Sequence, residues 1–324
     1  MIGFVLRRVA SALAVMLAVT AIAFVMFNYL GDPVVGILGL DASEAQRRAV
    51  EAQLGLDRPL PVRFWAYLTQ VLQGEFGLSY RLGRPVLDVL IERTPATVEL
   101  AAAGMLVALV IGVPAGVYAA IKRGSTGTRV LLAGSLFGIS VPTFFVGIVL
   151  IWIFNVSLGW LPSFGRGRTV DLGWWTTGLT TRSGLVALIL PAVTIAVFQI
   201  AMIMRLVRAE MLEVMRSDHI LFARARGLPE WRIQFRHALA NTAIPVITVI
   251  SLQLGSLIAF AVITESVFQW PGLGLLFLQS VGAADVPMMS AYLIFIAALF
   301  VSINLIVDLL YFAIDPRLRA RVAG

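Results

Sequence analysis

The chain has 324 residues, of which 59% are hydrophobic and 13% charged, with a mean hydropathy of +0.92; soluble domains carry about a quarter charged residues, so a water-soluble globular fold is excluded. The net charge of +7 is carried by arginines grouped between apolar runs, which points to a membrane rather than to nucleic acid. There is no cysteine, so disulfides and thiolate metal sites are excluded.

Crossing the hydrocarbon as a helix takes about 20 apolar residues. Six runs meet that length, at 9–30, 97–121, 130–156, 184–207, 243–264 and 289–313. No run alternates polar and apolar residues as a membrane barrel strand does, so an all-α membrane protein with six transmembrane helices is expected. If the spans alternate in direction, Arg7 and Arg8, Lys122, Arg123 and Arg129, Arg208 to Arg236, and Arg317 to Arg321 fall on one side. By the positive-inside rule that side is the cytoplasm, and both termini are expected there.

Arg7 and Arg8 followed by an apolar run with Ala21-Ile22-Ala23 have the outline of a signal peptide. Phe24-Val25-Met26-Phe27 carries the run to full span length, so residues 1–30 are expected to be an uncleaved first helix. Residues 31–96 then form an external segment of near-balanced charge. Ser43 and Gln46 have capping-box spacing for a helix over Glu44 to Leu54, with Gly55 as its stop. After Pro59 and Pro61, Phe64, Trp65, Leu68, Val71 and Leu72 recur at helical spacing, and Trp65 with Tyr67 fits a helix at the membrane interface. Pro85 opens a third short helix through Val86, Leu87 and Leu90. The segment reads equally as a packed lid or as a surface that receives a ligand.

Residues 97–313 hold the other five spans. Spans two to five each carry a proline, Pro114, Pro142, Pro191 and Pro245, either as hinges or simply as the prolines common in such helices. Arg205 and Asp308, near the inner ends of spans four and six, are expected to form an interfacial structural pair; a proton-coupled carrier would place ionisable groups nearer the midplane. On span five, Thr248, Ser251, Gly255 and Ala259 make a small, mildly polar stripe, and Ser140 and Thr143 flank Pro142 on span three. These six are the candidate translocation-pathway residues, with helix packing as the other reading of the stripe. Residues 314–324 are a cytoplasmic tail.

Catalysis by this chain is not expected. The only lysine, Lys122, follows Ile121, so no Walker A loop exists. The only histidines, His219 and His237, lie in the loop between spans four and five, where no acidic or thiol cluster accompanies them, and no metal or cofactor is expected to bind this chain.

That loop, 209–242, is the one segment that neither spans nor simply connects. Met211 to Arg226 reads as a helix, Gly227 as its left-handed stop and Pro229 as the start of a second helix bearing Trp231, Ile233, Phe235 and Leu239 into span five. Periodicity and charge leave two readings even, a helix resting on anionic headgroups and a docking element.

The spacing of Ala223, Ala225, Gly227, His237, Asn241 and Pro245 resembles the EAA loop of binding-protein-dependent ABC importer permeases, of the dipeptide, oligopeptide and nickel kind. The likeness runs through Leu30-Gly31-Asp32-Pro33, Leu54-Gly55-Leu56-Asp57-Arg58-Pro59-Leu60-Pro61, Arg93-Thr94-Pro95-Ala96-Thr97-Val98-Glu99-Leu100, Glu265 to Gly274, Asn304 to Tyr311 and Asp315-Pro316-Arg317. The resemblance implies a type I importer permease fold with a cytoplasmic coupling helix between helices four and five. It also implies a second homologous permease, two ABC ATPase subunits that bind ATP and Mg2+, an external substrate-binding protein, a bacterial inner membrane location with lipid contact, and a peptide as the commonest cargo. His219, Leu221, Phe222, Ala223, Ala225, Arg226, Gly227 and Leu228 are thereby the candidate ATPase-coupling residues. The family usually has an aromatic, an aliphatic, an arginine and a threonine before the first alanine, where this chain has His219, Ile220, Leu221 and Phe222. A more hydrophobic docking face led by Leu221 and Phe222 is expected. The other classes are an ion-coupled secondary carrier or channel and a membrane scaffold or enzyme subunit. Copurifying ATPase subunits distinguish the importer, and flux through the chain alone the carrier.

Overall fold

The computed structural model describes residues 2–29, 43–53 and 58–314. The expected stop at Gly55, the strings at 30–33 and 54–57, the tail at 315–324 and the side chain of Asp308 lie outside the described residues.

Helix α1 (Ile2–Tyr29) is followed by α2 (Glu44–Gln53), α3 (Leu60–Gln73) and α4 (Val86–Ile121). Next come α5 (Thr126–Ser140) and α6 (Thr143–Ile151), which runs on as a π turn (Trp152–Ser157). A two-stranded antiparallel hairpin, β1 (Val170–Asp171) and β2 (Thr176–Thr177), pairs Val170 with Thr177 and precedes α7 (Arg182–Val214). The remaining elements are α8 (Asp218–Ala225), α9 (Glu230–Arg232) leading by a π turn (Ile233–Ala238) into α10 (Leu239–Phe260), α11 (Val262–Val267), α12 (Leu273–Gly282) and α13 (Val286–Ile314).

Among the described residues, four helices are long and apolar enough to cross a membrane, over Leu6–Asn28, Val86–Ile121, Arg182–Val214 and Val286–Val307. The count reaches six if each of two bent pairs is one span, Thr126–Ser140 with Thr143–Ser157 and Glu230–Ala243 with Pro245–Phe260. The first pair, over the stretch read as span three, is bent by 103° at Pro142. Proline has no N–H and pushes its predecessor out of the helical region; Val141, before Pro142, is extended at φ −87°, ψ 127°. The second pair bends by 46° near Pro245, whereas Pro114 and Pro191 sit inside α4 and α7 as single helices.

The capping box at the start of α2 is formed: Ser43 N donates to Gln46 Oε1 at 3.0 Å and Gln46 N to Ser43 Oγ at 3.4 Å. Helix α3 packs on α1 through Phe64 and Tyr67, whose rings lie 5.3 and 5.7 Å from Phe24, and leaves Trp65 67% exposed. Pro85 caps α4 rather than a separate short helix: Val86, Val89 and Leu90 are buried at the start of the same 36-residue helix that forms span two.

The central packing is α4 on α7, running parallel. Gly104, Ala108, Gly112 and Gly116 recur every four residues along one face of α4. A Cβ at Gly104 would meet the Ile195 side chain, one at Gly112 would lie 3.1 Å from the Ile200 carbonyl, and one at Gly116 2.7 Å from the Met204 carbonyl. Small residues at this spacing let helix backbones approach closely in lipid.

Candidate coupling surface and pathway elements

The loop after α7 is built from two short helices folded back on the central bundle. The structure breaks the expected helix over Met211 to Arg226 into the end of α7 and a separate α8. Ser217 is extended (φ −73°, ψ 154°), and its hydroxyl donates to Val214 O at 2.5 Å while lying 2.9 Å from His219 Nδ1. Such local side-chain bonds compete with the helix ladder. Helix α8 then buries Ile220 and Ala223 in the cluster formed by Val207, Met211, Ile233 and Ala238.

Ala223 packs inward, 7% exposed. Leu228 is half-buried against the same cluster, while His219, Ala225, Arg226 and Gly227 are exposed. Leu221 and Phe222 are 52% and 64% exposed, and the Arg226 guanidinium lies 5.8 Å from the Phe222 ring centre.

Gly227 adopts φ +73° with nothing within 4 Å of where a Cβ would stand, so backbone conformation alone selects glycine there. Across this turn Arg224 Nε donates to Glu230 Oε1 at 2.8 Å, and the guanidinium holds the Glu230 carboxyl below its ordinary range. The second helix divides its apolar residues: Ile233 is fully buried, while Trp231 and Phe235 are 60% and 53% exposed. Residues two apart point to different sides of a helix, and the π turn from Ile233 shifts the register further.

The candidate pathway residues separate. Gly255 is buried, and its missing Cβ would lie 2.8 Å from the Phe300 ring of α13. Thr248 lines a groove of about 610 Å³ between α1, α10 and α13, together with Leu252, Ser256 and Asn304. Ser251 donates to the Ile247 carbonyl at 2.8 Å, and Ala259 is half-buried. Span five thus packs on α13 through the glycine at the centre of the stripe. Ser140 is exposed and Thr143 half-buried at the 103° bend.

At the opposite end of α4 and α7 from the loop, the structure brings together buried carboxylates that the sequence reading did not assign. Glu265, fully buried, accepts from Thr97 Oγ1 at 2.6 Å and from Leu275 N at 2.9 Å. Thr97 in turn accepts from Leu273 N at 2.8 Å, and Trp270 Nε1 donates to Ala96 O at 2.8 Å. This clasp ties α11 and α12 to α4. A Cβ on Gly272 would collide with the Glu265 carboxylate. Nearby, Glu99 accepts from Arg166 Nη2 at 2.6 Å with both side chains buried, and Arg166 also donates to Thr176 O at 2.7 Å. Asp285 accepts from the Ser79 hydroxyl and from Tyr80 N at 3.2 Å, tying α13 to the chain before α4. Glu265 in the string Glu265 to Gly274 was the visible pointer to the first of these.

Comparison with known proteins places this architecture. Residues 112–320 match the binding-protein-dependent transport system inner membrane component, and residues 1–101 match the N-terminal region of such membrane components. The chain belongs to this family. It is 35% identical over 332 residues to the dipeptide transport system permease protein DppB of Alkalihalophilus pseudofirmus, covering 98% of this chain and 100% of that one. The DppB of Escherichia coli K12 is 34% identical over 336 residues, covering 98% and 99%. A probable peptide ABC transporter permease of Sinorhizobium fredii is 38% identical over 317 residues, again covering 98% and 99%. Among solved structures, the inward-facing MetNI methionine ABC transporter aligns with a TM-score of 0.55 at 20% identity, covering 70% of this chain and 96% of that chain. That likeness concerns the fold.

The protein is accordingly a membrane-spanning permease of the bacterial inner membrane, in a family of transport components rather than enzymes. Its class works with ATPase and substrate-binding partners, and the ion-coupled carrier reading is set aside.

Proposed function

We propose that this chain is one of two permease subunits of an ATP-driven importer for di- or oligopeptides. Two ATPase subunits, which bind the ATP and Mg2+, dock on the loop between α7 and α10, and an external binding protein delivers the peptide at the clasp end of α4. Both termini then face the cytoplasm, the charge distribution being the support for that orientation. The observation that carries the reading is the two-sidedness of α8. Ile220 and Ala223 fasten it to the core that contains α7 residues Val207 and Met211, while Leu221 and Phe222 remain largely exposed. A helix fixed on one face and apolar on the other transmits a push from a docked partner to the spans.

The peptide cargo rests on the names of the full-length relatives. The test is uptake of labelled dipeptides into vesicles holding the assembled system, with and without ATP. Uptake only with ATP, lost when the ATPase subunits are omitted, supports the reading; flux through the purified chain alone overturns it.

A further inference from the structure

A second surface lies at the end of α7 remote from the coupling loop. Trp160, Pro162, Arg168, Thr181, Arg182, Ser183 and Val186 surround an open cavity of about 830 Å³ with no acidic residue in its lining. The backbone holding the arginines is well fixed: Arg168 N donates to Ser183 Oγ at 3.1 Å, and Thr181 Oγ1 donates to Arg168 O at 2.5 Å. Neither guanidinium has a hydrogen-bond or ion-pair partner among the described residues. By contrast Arg166, two residues from Arg168, is buried and committed to Glu99. One loop thus spends one arginine on the fold and leaves another beside Arg182, open to solvent.

The position of Arg182 at the start of α7 indicates what the two meet. From Gly184 to Met204 the helix has no charged residue, a run of about 30 Å at 1.5 Å per residue, which matches the hydrocarbon thickness. Arg182 stands just beyond it, at the level where phosphate groups lie. Below Arg182, Leu185 and Ile189 are 48% and 43% exposed on the same side of the helix. Beside the cavity Trp160 is 68% exposed, as aromatic rings at a membrane interface are.

We propose that Arg168 and Arg182 hold the phosphate of a phospholipid in the leaflet opposite the coupling loop, its acyl chain descending along Leu185 and Ile189. Guanidinium groups bind phosphate through paired, charge-assisted hydrogen bonds. The apolar strip below them favours a lipid over a soluble anion, which would gain nothing from it. An anionic headgroup is held more tightly than a zwitterionic one, because two positive charges here meet no carboxylate.

The site rests on the α7 geometry and on the chain being membrane-embedded, and its test is independent of peptide uptake. The purified permease complex, stripped of lipid in mild detergent, is titrated with phosphatidylglycerol or phosphatidylcholine and followed by native mass spectrometry. The wild type is expected to retain phosphatidylglycerol in preference. The double variant Arg168→Gln/Arg182→Gln should bind it about tenfold less tightly, with an unchanged gel-filtration profile, while Arg48→Gln, remote from the site, keeps wild-type retention. Equal retention by the double variant overturns the proposal. So does displacement of the lipid by millimolar inorganic phosphate, which would mark a free-anion site. So does loss of binding-protein capture in the double variant with lipid retention intact, which would assign the arginines to a protein partner.

Discussion

Thr97 and Glu265, on helices far apart in the chain, meet at 2.6 Å with the threonine hydroxyl donating to the carboxylate and accepting in turn from Leu273 N. Both side chains are buried, so neither can exchange its partner for water. Thr97→Val should leave the carboxylate short of a donor and the Leu273 N–H without its acceptor. The expected loss is about 1–3 kcal/mol, read as a lower thermal midpoint in detergent. Gly272→Ala should cost a similar amount for a different reason, its Cβ having no room beside Glu265. Unchanged midpoints in both variants would remove the clasp from the account.

The Arg166–Glu99 pair makes a sharper contrast. Glu99→Ala strands a buried guanidinium and should destabilise by about 3–5 kcal/mol, while the double variant Glu99→Leu/Arg166→Met removes both charges and should recover most of that. Thermal unfolding of the three proteins compares them directly; a double variant as unstable as Glu99→Ala would contradict the pairing.

On α8, neighbouring residues should behave oppositely. Leu221→Ala/Phe222→Ala removes exposed side chains and should leave the permease as stable as before while weakening copurification with the ATPase. Ile220→Ala, with no exposure in the native chain, should cost about 2–5 kcal/mol of stability. Full ATPase capture by the Leu221/Phe222 variant would show that docking lies elsewhere.

Gly227→Val places a branched side chain at φ +73°, a conformation that costs an L-residue about 1–2 kcal/mol. No neighbour obstructs it, so membrane insertion should be normal and the effect confined to the turn. The expected result is ATP hydrolysis with reduced uptake, with Gly227→Asn milder because asparagine tolerates the left-handed region. Wild-type uptake by the valine variant would exclude a coupling role for this turn.

Because the chain has no cysteine, single thiols report cleanly on the candidate pathway. Ser140→Cys and Ser251→Cys should label with a water-soluble maleimide if a hydrated path passes them, whereas Gly255→Cys, facing Phe300, should be protected. Protection at Ser140 and Ser251 alike would leave the path without support from these positions.

Much of this fold was legible in the sequence because hydrocarbon imposes length. Runs such as 184–207 had to be helices, and the box at Ser43 and Gln46 stated where α2 begins. What was not legible depended on partners distant in the chain. Pro142 announced a bend without its size, since the angle depends on how α6 settles against α7. Glu99 and Glu265 were visible as carboxylates, but nothing local said that Arg166 and Thr97 would reach them. In the loop, Gly227 and Pro229 marked the turn correctly, while composition does not say which face of a short helix such as α8 is anchored. The spacing of Gly104, Ala108, Gly112 and Gly116 is visible in the sequence, but which helix fills the row is not.

That glycine row bears on how force travels. Over the roughly 18 Å from Gly104 to Gly116, α4 cannot slip along α7 without driving its backbone into Ile195, Ile203 or Val207. α8 is fastened to one end of this pair and the Glu265 clasp to the other, so under the proposed docking a displacement of the loop is expected to be felt at the far end of α4.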